Sequence, residues 1–217
     1  SHRTSSTLPL IERGQTTATI RANVADDAGQ TTTYEASIHA RGANRARINS
    51  GSSLYLRDII GKIPSVSFTP EDQRLVSGDP GTRRTMMNQA AALLEPGYMQ
   101  TLQQFTRIAK QRATLLKQLN ANVNNGQPMD AVLSGLEIWT GQFIEAGVAL
   151  TRMRAHVISL LAEPFAAIYA DLAGAGEQVT LTYAPSFDEV LMFDDPHPQI
   201  SEHFQRIYPG EVARGVN

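Results

Sequence analysis

Cysteine is absent from this chain of 217 residues. Its absence excludes disulfide bonds, thiolate metal sites and cysteine nucleophiles, and it fits a reducing cytoplasm. The chain also lacks a long uninterrupted apolar run, because residues 157–172, the most apolar stretch, include Ser159, Glu163, Pro164 and Asp171. We therefore expect no membrane span. The first residues, Ser-His-Arg-Thr-Ser-Ser, contain no apolar segment like that of a signal peptide.

A phosphate-binding loop is missing as well. The pattern Gly-x-x-x-x-Gly-Lys-Ser/Thr is approached at Gly61-Lys62, but Ile63 follows that pair and Leu56 stands at the position of the first glycine. The backbone N–H groups and the Lys of such a loop hold the phosphates of a nucleotide. The sequence therefore contains no loop of this kind.

The small net charge of −2 conceals an uneven distribution. Residues 1–117 hold 15 Lys+Arg and 9 Asp+Glu, a net charge of +6, whereas residues 118–217 hold 4 and 12, a net charge of −8. A basic half favours an anionic partner, either a nucleotide or a nucleic acid. Charge alone leaves open the alternative of an unevenly charged, solvated surface.

Apolar residues alternate in the first part of the chain, which predicts strands. A turn at residues 26–29 separates two alternating runs and predicts an antiparallel pair with one buried face. The predicted segments are strands at residues 18–24, 34–40 and 45–49, a segment of helical spacing at 54–60, and a strand at 64–68.

After residue 80 the apolar residues recur every three or four positions, which predicts helices. Two long helices joined by a polar loop predict an antiparallel hairpin that projects as an arm. Gly141 and Gly147 in the second of these helices would permit close approach of the first, and Pro164 must kink or end it. The predicted helices are residues 80–95, 98–119 and 129–160, with further apolar residues on one face up to Leu172.

Alternation returns at residues 179–183, which predicts a strand, and a short helix is predicted at 200–208. This order indicates an α+β fold in which a helical arm is inserted into a β-rich lobe. We expect the lobe at residues 1–79 and 178–217 and the arm at 80–177. The chain does not begin with Met, and its end at Arg214-Gly-Val-Asn217 reads as the start of a strand, so we expect an internal fragment of a longer protein.

Residues 68–88, here called the hinge segment, contain two helix starts in succession. Thr69 and Asp79 can each cap a helix, and each precedes a Pro, which suits the first helical position. Arg83-Arg84 then place two positive charges in a first turn, against the helix dipole, so we expect them to have a partner outside the helix.

The hinge segment resembles the RecF family of recombination mediators. Phe68-Thr-Pro-Glu-Asp72 and Gly78-Asp-Pro-Gly-Thr-Arg-Arg84 are similar to its Phe-Ser/Ala-Pro-Glu-Asp-Leu and Gly-x-Pro-x-x-Arg-Arg patterns. The resemblance is collinear over the whole chain. Further segments that match are Ser1-His-Arg-Thr4, the helix from Tyr98 with Arg107, Gln111-Arg112 and Leu115-Leu-Lys117, and Leu136-x-x-Trp139.

The resemblance implies part of an ATPase head of the SMC or ABC type with a short helical arm. The full-length protein would bind ATP with Mg²⁺ and bind DNA, and it would form a homodimer when ATP is bound. It would act with RecR and RecO in the cytoplasm and would load recombinase at single-strand gaps in DNA repair, recombination, replication restart and the SOS response. By the same resemblance the full-length protein would be a weak DNA-dependent ATPase, whose phosphate-binding loop, signature motif and catalytic acidic segment would lie outside this chain. We therefore expect that this chain alone neither binds nor hydrolyses ATP and is not an enzyme by itself.

The resemblance also suggests roles for particular residues. Glu71 and Asp72 resemble a nucleotide-sensing Q-loop, although charge stabilisation at a helix start explains them equally well. Arg3 would lie near nucleotide or DNA. Contacts with DNA phosphate are assigned to Arg41, Arg45, Arg47 and Lys62, and the junction of head and arm to Arg83 and Arg84.

Some features depart from the pattern or favour another interpretation. Asn88 stands where the family commonly has Asp, so a charged contact with an Arg would be weakened here. Aromatic residues are sparse near the predicted DNA contacts, which does not favour base stacking. The regular spacing from Met129 to Leu160 leaves open a coiled-coil interaction module without nucleotide or DNA function. Asp194-Asp195 with nearby histidines is the best candidate for a metal site, but we expect none.

Overall fold

The computed structural model describes residues 6–63, 69–128, 130–174 and 176–216. It shows an α+β protein, as predicted, whose chain divides into two compact units, Ser1–Val76 and Ser77–Asn217. The first unit carries a four-stranded antiparallel sheet in the order β1-β2-β3-β4. Its strands are β1 (Thr17–Ala25), β2 (Thr31–His39), β3 (Arg45–Ile48) and β4 (Leu54–Tyr55).

The first three strands confirm the alternation seen in the sequence. One face of the sheet is apolar, and Ile38 and Ala46 are buried on it. A 3-10 helix, Leu8–Leu10, contacts β2. The segment of helical spacing at 54–60 starts instead as β4, because Leu54 pairs with Ala46, and only Leu56–Ile59 is helical, as a 3-10 helix. The strand predicted at 64–68 lies outside the described residues.

The hinge segment contains a 3-10 helix and two α-helices: Pro70–Gln73, α1 (Arg74–Ser77) and α2 (Pro80–Leu94). Helix α2 begins as predicted. One carboxylate oxygen of Asp79 accepts the backbone N–H of Gly81 at 2.6 Å and that of Thr82 at 3.1 Å. These two bonds satisfy donors that the helix itself leaves unpaired.

The predicted antiparallel hairpin is present and longer than expected. Helix α3 (Tyr98–Asn125) ends at Gly126, and α4 (Asp130–Ala173) runs back along it. Helix α4 continues through Pro164, so this Pro does not end it. Gly147 lies against α3, since a Cβ there would stand 3.4 Å from the ring of Phe105, whereas a Cβ at Gly141 would meet nothing within 4 Å. Only Gly147 therefore permits the close approach that we predicted for both.

Helix α4 is long and apolar enough over Val132–Ala173 to cross a membrane, by length and composition alone. Its buried residues take part in clusters with several other helices, so the part up to Ile158 packs as in a small bundle. After Ile158 no described residue of the helix is buried, and Leu160, predicted to lie inward, is 47% exposed. The buried clusters are Ile144, Val148, Val190, Ile200 and Phe204; Ala91, Tyr98, Leu150 and Val157; and Leu116, Leu119 and Leu136.

The last part of the chain differs from the prediction. Residues 179–183 form no strand and have no β partner among the described residues, and Tyr183 borders a groove on the helices instead. Helix α5 (Glu189–Met192) and helix α6 (His197–Arg214) follow. Helix α6 continues through Pro209 and packs against α3 and α4. Arg214, expected to open a strand, ends this helix.

Candidate nucleic-acid interface

The register of the sheet places basic side chains together on its polar face. Arg21, Glu35 and Arg47 are paired across β1, β2 and β3. Arg45 is paired with Tyr55 in the next row, on the same face, since alternate residues of a strand share a face. These five residues are here called the polar face; it holds three Arg and one Glu.

The ring of Tyr55 contacts two arginine side chains. The guanidinium carbons of Arg45 and Arg57 each lie 4.3 Å from the centroid of its ring. Such contacts are worth about 0.5–1 kcal/mol at an exposed site and limit the freedom of both side chains. Arg57 also approaches Asp58, at 3.8 Å. Arg57 was not among the DNA contacts predicted from the sequence, and an aromatic ring was not expected beside them, although the spacing Tyr55-Leu-Arg57 was a usable signal.

Glu35 neutralises Arg21. The Nε and Nη2 atoms of Arg21 donate to the same carboxylate oxygen of Glu35 at 3.2 and 2.6 Å. Arg47, on the other side of Glu35, is exposed and forms no ion pair among the described residues. The positive charge available to an anion therefore lies mainly at Arg45 and Arg47 on this face and at Arg57 beside it.

Two other predicted DNA contacts lie outside the strands. Arg41 is in the turn after β2, and Lys62 follows the 3-10 helix that contains Arg57; both are exposed. Neither forms an ion pair within the part of the chain that the structure describes. Of the four predicted residues, the sheet register brings only Arg45 and Arg47 to one face.

Of the residues predicted to lie near nucleotide, the structure describes the side chain of Asp72. Arg3 and the side chain of Glu71 lie outside the described residues. Asp72 is half-buried, and its carboxylate accepts the backbone N–H of Thr69. This bond closes the first turn of the hinge segment, so Asp72 stabilises the local backbone.

The arginine pair of the hinge segment lies in the first turns of α2. Arg83 donates from Nη1 to the backbone carbonyl of Gly78 at 3.1 Å, just before the helix begins. Arg84 is exposed. The expected outside partner of Arg83 is thus, at least in part, the backbone of the preceding turn.

A buried ion pair inside the helical unit was not predicted. Arg112 of α3 donates from both terminal nitrogens to the two carboxylate oxygens of Glu211 on α6, at 3.0 and 2.6 Å, and from Nε to the hydroxyl of Thr140 at 3.0 Å. The rings of Phe143 and Phe204 flank the guanidinium, 5.6 and 4.8 Å from its carbon. The family pattern had marked Arg112, but nothing in the sequence marked its partner.

A second polar network involves Asn88, the residue that departs from the family pattern. Its side-chain oxygen accepts from the hydroxyl of Tyr98 and from Nη2 of Arg154, the latter at 3.0 Å. Arg154 Nε also donates to the Tyr98 hydroxyl, at 3.0 Å. The cationic partner expected for this position is therefore Arg154, and here it faces a neutral amide.

The acidic loop before α6, which contains Asp194 and Asp195, is held in place by hydrogen bonds. The side chain and backbone N–H of His197 both bond to Asp195, and these hydrogen bonds lower the pKa of the Asp195 carboxyl below its ordinary value. Arg152 holds the loop by donating to the backbone carbonyls of Phe193 and Asp194 at 3.0 and 2.6 Å. Among the described residues, no group of three His, Cys, Asp or Glu is placed to hold a metal ion.

Comparisons with known proteins find RecF proteins that are similar to this chain over its whole length. The DNA replication and repair protein RecF of Bifidobacterium longum subsp. infantis is 98% identical over 217 residues, which cover 100% of this chain and 53% of that protein. RecF of Bifidobacterium adolescentis is 66% identical and that of Streptomyces avermitilis 35%, each over 100% of this chain and over 54% and 58% of those proteins. This chain thus spans about half the length of these curated relatives. No protein-family model matches it.

Solved structures of the recombination mediator protein RecF in the RecFOR pathway share the fold. The RecF–ATPrS structure has a TM-score of 0.80 at 18% identity, covering 96% of this chain and 54% of that one. The RecF–ATP structure has a TM-score of 0.77 at 17% identity, covering 100% of this chain and 56% of that one. None of these comparisons supports a separate coiled-coil module.

Proposed function

Because the chain belongs to the RecF family over its whole length, we propose that it is a DNA-contacting segment of a RecF-like recombination mediator. The full-length protein would bind ATP and DNA and help to load recombinase at single-strand gaps during repair and replication restart. The observation that carries the DNA contact is the set of exposed cations on and beside the polar face, together with the half-buried Arg45, which shares the ring of Tyr55 with Arg57.

The chemistry of the polar face suits a phosphate backbone. Arginine guanidinium groups match phosphate oxygens in a bidentate geometry. The contact would be independent of sequence and sensitive to salt, since phosphate contacts release counterions. Arg45 and Arg47 would provide the main contacts and Arg41 and Lys62 peripheral ones, with Arg57 as an additional contact that sequence reasoning missed.

The nucleotide would be held mainly by parts of the full-length protein that this chain does not contain, with Mg²⁺ on its phosphates. Glu71, Asp72 and Arg3 would lie close to it, and Arg83 and Arg84 would connect that region to the helical unit. In support of a place at the start of the helical unit, both arginines lie in the first turns of α2, and Arg83 bonds to the carbonyl of Gly78 just before that helix. RecR, RecO and a second copy of the protein in its ATP-bound state would be the protein partners, in the cytoplasm.

Fluorescence anisotropy with a labelled gapped duplex tests the DNA contact. Replacing Arg41, Arg45 and Arg47 by Ala should weaken binding of the 217-residue chain by about ten-fold or more at low salt, because three phosphate contacts are lost. Arg13, Arg206 and Arg214, exposed cations outside the polar face, provide a control triple Ala variant with the same change of charge. Equal affinities of the two triple variants would refute the proposed interface.

The nucleotide role is tested separately in the full-length protein. Asp72→Asn should leave ATP binding nearly unchanged and reduce the increase in DNA affinity that ATP causes. Asp27→Asn, which removes the same charge from an exposed acid in the turn between β1 and β2, is the control. An ATP effect on DNA binding that is equal in both variants would count against a nucleotide-sensing role of Asp72.

A further inference from the structure

Helix α3 contains no Asp or Glu in its 28 residues, although it carries four cations. Arg112 turns inward and is neutralised by Glu211. The other three, Arg107, Lys110 and Lys117, are exposed. Their spacing of three and seven residues places them on one stripe of the helix, opposite the face that is buried against α4. These three residues are here called the α3 stripe.

Within the part of the chain that the structure describes, no carboxylate compensates the charge of the α3 stripe. None of its cations forms an ion pair with a carboxylate among the described residues, whether on α3 or on the helices packed against it. The exposed acids of the neighbouring α4 form no ion pair with the stripe. They are Asp130, Glu137, Glu145, Glu163 and Asp171.

Side chains beside the stripe are also suited to phosphate. Exposed amides and a hydroxyl surround the cations, and such groups supply many protein contacts to the DNA backbone. The exposed polar neighbours are Gln103, Gln111, Thr114 and Gln118. No large apolar or aromatic residue lies on the stripe, whereas protein–protein interfaces are centred on such anchors. A nucleic acid therefore fits this surface better than an acidic protein does.

The dimensions agree with a backbone contact. With a rise of 1.5 Å per residue, Arg107 and Lys117 are about 15 Å apart along the helix, which corresponds to about four phosphates of one strand at 3.4 Å each. We propose that the α3 stripe is a second, sequence-independent DNA contact, in the helical unit and separate from the polar face. This inference rests on the proposed function, because it assumes that the chain engages DNA.

The experiment measures binding of the 217-residue chain to labelled duplex DNA as a function of salt, for the triple variant R107A/K110A/K117A. The predicted result is a loss of affinity of about ten-fold or more and a decrease of the slope of log K against log salt by about 2–3, since each phosphate contact contributes about 0.9. The conservative variant R107K/K110R/K117R should keep the wild-type slope.

The controls separate the two proposals. The variant R13A/R206A/R214A removes the same charge from other exposed sites and should change the slope much less. If the stripe variant binds like this control while R41A/R45A/R47A is weakened, the stripe does not contact DNA and the proposed function stands. If the unmodified chain binds no DNA at low salt, both proposals are wrong. Circular dichroism of each variant verifies the fold.

Discussion

Arg112 and Glu211 form a bidentate ion pair that is closed to solvent, although they lie 99 residues apart in the sequence. The pair joins the middle of α3 to the last turns of α6. Beside it, the amide of Asn120 donates to the carbonyls of Val212 and Ala213 at 3.1 and 2.8 Å. The last helix of the chain is thereby attached to the helical hairpin by polar contacts as well as by apolar ones.

Removing either partner of this pair should strongly destabilise the helical unit. Glu211→Gln or Arg112→Met alone leaves a buried charge without its counterion, which costs about 3–5 kcal/mol. The double variant R112M/E211Q should be less destabilised than the sum of the single variants, because no charge then remains unpaired. Urea unfolding of the four proteins measures this coupling. Additive effects of the two substitutions would show that the pair does not act as a unit.

Asn88→Asp should stabilise the protein. The carboxylate would accept the same bonds from Tyr98 and Arg154, and a hydrogen bond with two charged partners contributes about 1 kcal/mol more than one with a neutral acceptor. Thermal unfolding of the variant provides the measurement. In the Arg154→Met background the gain should disappear, and a gain that persists there would show that Arg154 is not its source.

The two glycines of α4 should respond differently to replacement. Gly141→Ala should raise stability by about 0.5–1 kcal/mol, because Ala favours the helix and a Cβ there meets nothing within 4 Å. At Gly147 the same replacement should gain clearly less, since the new Cβ stands 3.4 Å from the Phe105 ring. Equilibrium unfolding of both variants decides this, and an equal gain at both positions would contradict the close approach at Gly147.

The contribution of Asp195 should depend on pH. Its pKa is lowered in the folded protein by the hydrogen bonds from His197, so its stabilisation is present above the ordinary Asp pKa of about 3.9 and is lost as the pH falls through the lower folded value. Asp195→Ala should therefore lower Tm at pH 7 and lower it progressively less below pH 4. Asp194→Ala is the control, since its side chain makes no hydrogen bond with the described residues. A Tm difference independent of pH would be inconsistent with this linkage.

The sequence predicted correctly those helices and strands that depend on residues close together in the chain. Alternation identified β1 to β3, and the Asp79-Pro80 pair identified the start of α2, because caps and strand faces depend on neighbouring residues. The prediction of a strand at 179–183 was wrong, because a strand needs a partner and alternation of apolar residues does not reveal whether a partner exists. Pro164, which was expected to kink or end its helix, lies inside α4, and the helix predicted to stop at residue 208 continues through Pro209. Packing against neighbouring helices, which supplies most of the stability of a helix in a protein, is not visible in a local pattern.

The candidate site was predictable only in part, for a related reason. The sequence marked Arg45 and Arg47, but the role of Glu35 in neutralising Arg21 depends on the sheet register. The same holds for Arg57, which joins Arg45 only through the ring of Tyr55. The partner of Arg112 lies in another helix, and no spacing rule connects residues so distant in sequence.

The central claim is that the polar face binds the DNA backbone through its arginines. The most direct measurement is the salt dependence of duplex binding by the 217-residue chain and by its R45A/R47A variant. The log of the binding constant should fall linearly with log salt, and the variant should show a slope smaller by about 1.8, which corresponds to two phosphate contacts. An unchanged slope in the folded variant, with unchanged affinity, would contradict the claim.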